Sequence, residues 1–211
     1  MVAVTSQMLL SIHIPKTAGV SFRQVLAQLF QEDFLQKYWH CTDARGQVVP
    51  AVPDNVRCIH GHFPPEALLP QFPQAKLITW VRDPVERVIS SYYHRLRDPD
   101  WNNPISRQLH EQRLSLIQFA ELDLMRNEIA RFMGGKRPRE FAFIGHTEQF
   151  DASLVRFREQ FGFPAVPVPR ENCNPARTTD RYDVDARTRR RIAALNELDF
   201  KIYEEICREG I

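Results

Sequence analysis

Residues Met8 to Phe30, MLLSIHIPKTAGVSFRQVLAQLF, read as a strand, a polar loop and a helix in immediate succession. Leu9, Leu10, Ile12 and Ile14 suit a strand of a covered sheet, while Phe22, Val25, Leu26, Leu29 and Phe30 recur at helical spacing. Between them lies PKTAGVS. A strand feeding a loop and a helix N-terminus leaves backbone N–H groups pointing at one place, where the helix dipole favours an anion. Lys16 adds a full positive charge, Thr17 and Ser21 add hydroxyls, and Gly19 is expected to let a ligand approach the backbone closely. The outline is a phosphate cradle running through Pro15, Lys16, Thr17, Ala18, Gly19, Val20 and Ser21. It is not the common nucleotide-binding loop, because G-x-x-x-x-G-K-[ST] sets glycines ahead of the lysine and Pro15 stands there instead.

Composition bounds the remaining possibilities. A chain of 211 residues with 43% hydrophobic and 26% charged residues is long enough for one globular domain over residues 1–211. A formal charge of +2 is too small to mark a general nucleic-acid or membrane binder, although local basic clusters can still receive an anionic substrate. Cys41, Cys58, Cys173 and Cys207 are far apart with no C-x-x-C pair, so free or buried thiols are expected rather than a metal site. The start MVAVTSQMLLSIHIP lacks a basic, apolar leader, and no run reaches the roughly 20 apolar residues of a membrane span. A cytoplasmic protein without a membrane partner is expected.

Two further segments carry polar residues at strand ends. VRCIH, Val56 to His60, reads as a short second strand delivering HGHFPPE to the edge where open α/β sheets bind ligands. Histidine is the side chain most easily poised to remove a proton near neutral pH, so His60 and His62 are candidate bases; a structural histidine bonded to backbone is the alternative. KLITWV then reads as a strand passing through RDP into a helix, with Asp83 as cap, Pro84 at the first helical position and Glu86 completing a capping-box pattern. Arg82 falls at the strand end and Ser90 about two turns along the helix, so both are able to reach one phosphate, unless Arg82 pairs with a carboxylate instead.

Taken in order, these segments resemble sulfotransferases that use 3′-phosphoadenosine 5′-phosphosulfate (PAPS). HIPKTAGVSF resembles their 5′-phosphosulfate loop, especially in enzymes acting on polysaccharides, and RDPVERVISSYYH resembles their 3′-phosphate element, with Arg82 and Ser90 on the phosphate-contacting arginine and serine. HGHF followed by KLITWVRDP looks like heparan sulfate and uronyl 2-O-sulfotransferases. In that resemblance His62 matches the catalytic base and His60 a supporting histidine, with His60 as the fallback base. It further implies Lys16 acting on the leaving phosphate, PAPS as donor and 3′-phosphoadenosine 5′-phosphate (PAP) as product, no metal, and a carbohydrate hydroxyl as acceptor. Arg177, Thr178 and Thr179 lie where a late loop of the family closes over the nucleotide. Animal enzymes with this motif are usually anchored in the Golgi membrane, which this sequence does not match.

The rest of the chain fits a frame around those motifs. Gln31 to Asn55 reads as a connection carrying one short element, Ile105 to Met133 as interrupted helix, and FAFIG as another strand. Phe150, Leu154, Phe157 and Phe161 mark a helix stopped by Gly162. Asp185 to Arg208 reads as one terminal helix with Ile192, Leu195, Leu198, Ile202, Tyr203 and Ile206 inward and RTRRR solvated. The expected fold is a single α/β domain, a central mostly parallel β-sheet flanked by helices, like nucleotide kinases and P-loop-type sulfotransferases in outline. Two other functions share this frame: an ATP-dependent phosphotransferase, which would need a fuller glycine loop and a magnesium-binding carboxylate pattern not evident here, and a non-catalytic polysaccharide-binding protein.

Overall fold

The computed structural model describes residues 7–38, 52–168 and 182–210. Five strands, β1 (Leu9–Ile12), β2 (Phe34–Tyr38), β3 (Cys58–His62), β4 (Lys76–Val81) and β5 (Phe143–His146), form one sheet in the order β2-β3-β1-β4-β5. Every pairing is parallel. Chain connections leave β1 toward one edge of the sheet and β4 toward the other. Their C-terminal ends therefore open a crevice at the point where ligands bind in such sheets.

Alternation along the strands sorts side chains to two apolar layers. Leu9, Cys58, Ile78, Trp80 and Phe143 meet α1 (Gly19–Phe30) through Phe22, Val25 and Leu26, and meet α6 (Phe150–Phe161) through Leu154 and Phe157. Leu10, Ile12, Ile59, Leu77, Val81 and Ile144 face the opposite way, onto Ile129, Phe132 and Met133 of α5 (Glu128–Met133) and Ile206 of α8 (Glu197–Glu209). A third apolar cluster joins α2 (Pro84–Arg97), α3 (Pro104–Glu111), α4 (Leu116–Ala120) and α7 (Ala186–Leu195) beside the sheet.

The short element expected in the connection after α1 is β2, an edge strand that pairs with β3 along its whole length. Two other expectations need correction. The strand expected at Val56 to His60 begins at Cys58 and runs through His62, since β1 on one side and β2 on the other extend the pairing beyond the apolar run. The terminal helix is two helices. Asn196 breaks it: fully buried, its Nδ2 donates to the Ile192 carbonyl and its Oδ1 accepts from the Asn127 N–H, while the Leu198 N–H donates to Asn127 Oδ1. Leu198 lies off the buried face, 52% exposed, while Ile192, Asn196, Asp199 and Ile206 face inward.

A buried charge cluster ties α2 to α5 and α8. Arg87, with no solvent exposure, donates to Glu128 and to the Met125 carbonyl at 3.0 Å, and its Nη2 lies 3.9 Å from Asp199 Oδ2. Asp199 also accepts from the N–H groups of Ile129 and Ala130. Burial holds both Glu128 and Asp199 above the ordinary carboxylate range, with Arg87 acting against that shift. Removing the arginine leaves Asp199 buried without its paired arginine and Glu128 with only the partly exposed Arg131 as ion-pair partner. Arg87→Ala is therefore expected to cost roughly 3–5 kcal/mol of unfolding free energy. Urea denaturation measures it, and a midpoint equal to wild type would show that α2 docks by apolar packing alone.

Candidate active site

The loop between β1 and α1 is held in a tight curl. Lys16 (φ 68°) and Ala18 (φ 61°) both take left-handed backbone conformations without being glycine. Each costs roughly 1–2 kcal/mol relative to an ordinary conformation, so neighbouring contacts must enforce them. Thr17 is fully buried and its hydroxyl donates to the Ile14 carbonyl at 2.8 Å, so that hydroxyl shapes the loop and does not face a ligand. Arg82 Nη1 donates to the Lys16 carbonyl at 3.4 Å from the end of β4. No side chain caps α1 at Ala18, which leaves the first N–H groups of the helix, through Val20 and Ser21, directed at the crevice. Pro15, Val20 and Ser21 are half-buried along the same curl.

Gly19 has a different reason for being glycine from the one its sequence context implies. A Cβ built there would fall inside the His13 imidazole, so the vacancy is occupied by a side chain of the same chain rather than kept for a ligand. His13 in turn meets both histidines of β3. Its ring stacks on His60 with centroids 5.0 Å apart and meets His62 edge-on at 4.4 Å. His60 is 1% exposed, its Nδ1 is 2.9 Å from Ser11 Oγ, and burial beside His62 and Arg23 pushes its pKa down to about 3. His62, half-buried at the strand end, also packs edge-on against Phe132.

Arg82 and Ser90 are both buried, at the end of β4 and on α2 respectively. Asp83 caps α2 by accepting the Glu86 N–H at 3.0 Å, but only half of the expected capping box forms. The Asp83 N–H donates to Glu148 at 2.9 Å, and the Glu86 side chain turns toward Arg82 at 4.0 Å. Glu86 accepts from Arg189 at 2.8 Å, while Arg189 also donates to the carbonyls of Tyr182 and Val184. One arginine of the RTRRR run thus points inward and braces the carboxylate beside Arg82.

The crevice gathers positive charge. Burial, and then the charges of Arg82, Arg97 and Arg95, bring Lys16 down to about 8, with Asp98 acting weakly against them. Burial, and then Lys16, also depress His94. His13, Glu86, Arg95, Arg97 and Arg189 were not legible as site residues. The signal for His13 was two-residue alternation, which puts residues 11 and 13 on one face with residues 60 and 62 of the neighbouring strand. Arg107, His110 and Arg126 bond to the carbonyls of Trp101, Arg95 and Glu121 and serve local structure. Arg177, Thr178 and Thr179 lie outside the described residues.

A parallel α/β domain with a cationic loop and an uncapped helix N-terminus at its switch point is suited to bind phosphate- or sulfate-bearing ligands. The chain belongs to the sulfotransferase family, whose family model matches residues 1–204. Among solved structures it is similar to a sulfotransferase from Alicyclobacillus acidocaldarius, with a TM-score of 0.50 at 16% identity and 96% of each chain covered. A mouse sulfotransferase, SULT7A1, solved in complex with PAP, gives a TM-score of 0.47 at 15% identity over 77% of this chain and 61% of that one. No curated protein matches the sequence. No helix among the described residues is long and apolar enough to cross a membrane.

The depressed Lys16 makes anion binding pH-dependent. A bound anion favours the charged amine, so affinity is full below about pH 8 and falls as the free lysine deprotonates above it. Inorganic sulfate keeps its own charge constant across this range. Its dissociation constant is expected to rise about tenfold from pH 7 to pH 9 in wild type and to stay level in Lys16→Gln. Calorimetry at the two pH values measures it, and equal slopes in both proteins would place the anion away from Lys16.

Proposed function

We propose that the protein transfers a sulfuryl group from PAPS to a hydroxyl on a carbohydrate, with His62 as the acceptor's base. The observation that carries this reading is the joining of three elements at one edge of the sheet. The Lys16 loop bonds Arg82 through its carbonyl and touches the paired histidines of β3 through His13. That Lys16, Arg82 and the β3 imidazoles are linked at one crevice supports reading Lys16 and Arg82 as phosphate anchors beside a base.

In the proposed reaction the acceptor oxygen forms a bond to sulfur while the bond from sulfur to the 5′-phosphate oxygen breaks. His62 takes the acceptor proton, and Lys16 with the α1 N–H groups neutralises the charge growing on the leaving phosphate. Sulfate ester and PAP are the products. Arg82 and Ser90 hold the 3′-phosphate, for which the arginine's planar fork suits two parallel hydrogen bonds. His60 supports this base rather than replacing it, because a buried imidazole bonded to Ser11 is shielded from an incoming hydroxyl. As in phosphoryl transfer, most of the work is positioning and charge stabilisation.

Screening labelled PAPS against desulfated polysaccharides, oligosaccharides and small alcohols identifies the acceptor. His62→Ala should then lower kcat about a hundredfold or more with little change in PAP affinity, the loss typical of a removed general base. Arg82→Ala should instead weaken PAP by about tenfold or more, as expected for a lost charge-assisted phosphate contact. Undiminished turnover by His62→Ala would remove it as the base, and tighter binding of ATP than of PAP would overturn the donor.

A further inference from the structure

We propose that His13 is a positioning residue for His62, its imidazole acting as a wedge that couples the Lys16 loop to the base. The inference rests on the reading of His62 given above, and three geometric facts carry it. First, the His13 backbone is fixed, because its N–H donates to the Gly61 carbonyl at 2.7 Å and extends the β1–β3 ladder one residue beyond β1. Second, the ring sits in a chain of contacts: Ser11 holds His60 at 2.9 Å, His60 stacks on His13 at 5.0 Å, and His13 meets the edge of His62 at 4.4 Å. Third, the ring fills the space where any side chain at position 19 would begin. The residue that opens α1 is therefore in contact with the ring that abuts the base.

The charge state of the cluster suits this role. His13 is 7% exposed, and burial first, then His62, His60, Arg23 and Lys16, keep it neutral. A shielded imidazole of lowered basicity serves poorly as the acceptor's base but well as a fixed surface. Among the described residues, His13 from the loop and Phe132 from α5 meet the His62 ring edge-on, and the charges acting on the cluster include His60, Arg23 and Lys16. With His13 gone, one side of the His62 ring loses its stop. Small errors in the angle of a reacting group are costly, so the wedge bears on transfer more than on donor binding.

The test compares wild type, His13→Ala, Gly19→Ala and the double variant. PAP affinity is read by calorimetry, and His62 by its imidazole resonances in ¹⁵N-histidine-labelled protein, assigned by their loss in His62→Ala. His13→Ala should leave PAP binding within about threefold of wild type while shifting and broadening the His62 ring signals. Gly19→Ala, which displaces the ring, should produce the same His62 change and weaken PAP about tenfold or more, in line with overpacking at a crowded site. Adding His13→Ala to Gly19→Ala should restore much of that affinity, because the clash is gone. His62 signals that stay sharp in His13→Ala, whatever shift the lost ring current causes, or equally poor PAP binding by Gly19→Ala and the double variant, would overturn the proposal. A purely structural role for His13 would lower thermal stability and PAP affinity together. Failure of wild type to bind PAP would sink the donor assignment while leaving the His62 comparison decisive.

Discussion

Like charges crowd the edge where β1 and β4 end. Arg82, Arg97 and Arg95 act on Lys16 there, and the buried Glu86 turns toward Arg82. Such crowding is unfavourable on its own, as the lowered Lys16 records, and it is accompanied by two left-handed residues in the loop. Both costs become useful when a ligand supplies negative charge. Dipoles and cations already fixed in place need no rearrangement as charge develops on a leaving group. The rest of the fold can be understood as what keeps this arrangement from relaxing.

Helix α2 does much of that work through two consecutive residues facing different neighbours. Arg87 turns into the buried acidic pair on α5 and α8, locking the helix to the layer beneath it. Glu86 turns the other way, between Arg82 and the Arg189 of α7. The C-terminal helices therefore do more than cover the sheet. They supply the counter-charges that fix the helix carrying Ser90 and steady the arginine at its start. The Asn127–Asn196 clasp, by breaking the terminal segment into two helices, lets one part reach Glu86 and the other reach Arg87.

The histidine cluster shows how adjacent parallel strands make a site from residues far apart in the chain. Ser11 pairs in register with His60, so the next outward position on the β1 side stands beside the next on β3. His13 and His62 meet for that reason. The same geometry accounts for the glycine at the start of α1, where the missing side chain makes room for a ring from the preceding loop. The rings stack and meet edge-on, and among the described residues no histidine, cysteine or carboxylate cluster is arranged to hold a metal ion.

Much of this was legible in the chain alone, because local signals have local causes. Apolar runs of strand length, helical spacing after the lysine loop, and the D-P start of α2 fix which segments become strands and helices, whatever surrounds them. The lysine loop, the β3 histidines and Arg82 stand out as polar residues at strand ends. Tertiary structure alone decided what Gly19, His13, Glu86 and Arg189 do, since each acts through a partner distant in sequence or across a strand pair. It also decided the extent of β2 and β3, which depends on neighbours offering hydrogen bonds, and the kink at Asn196, which depends on a buried amide finding Asn127. Periodicity records which way a side chain faces; it does not record what will be waiting there.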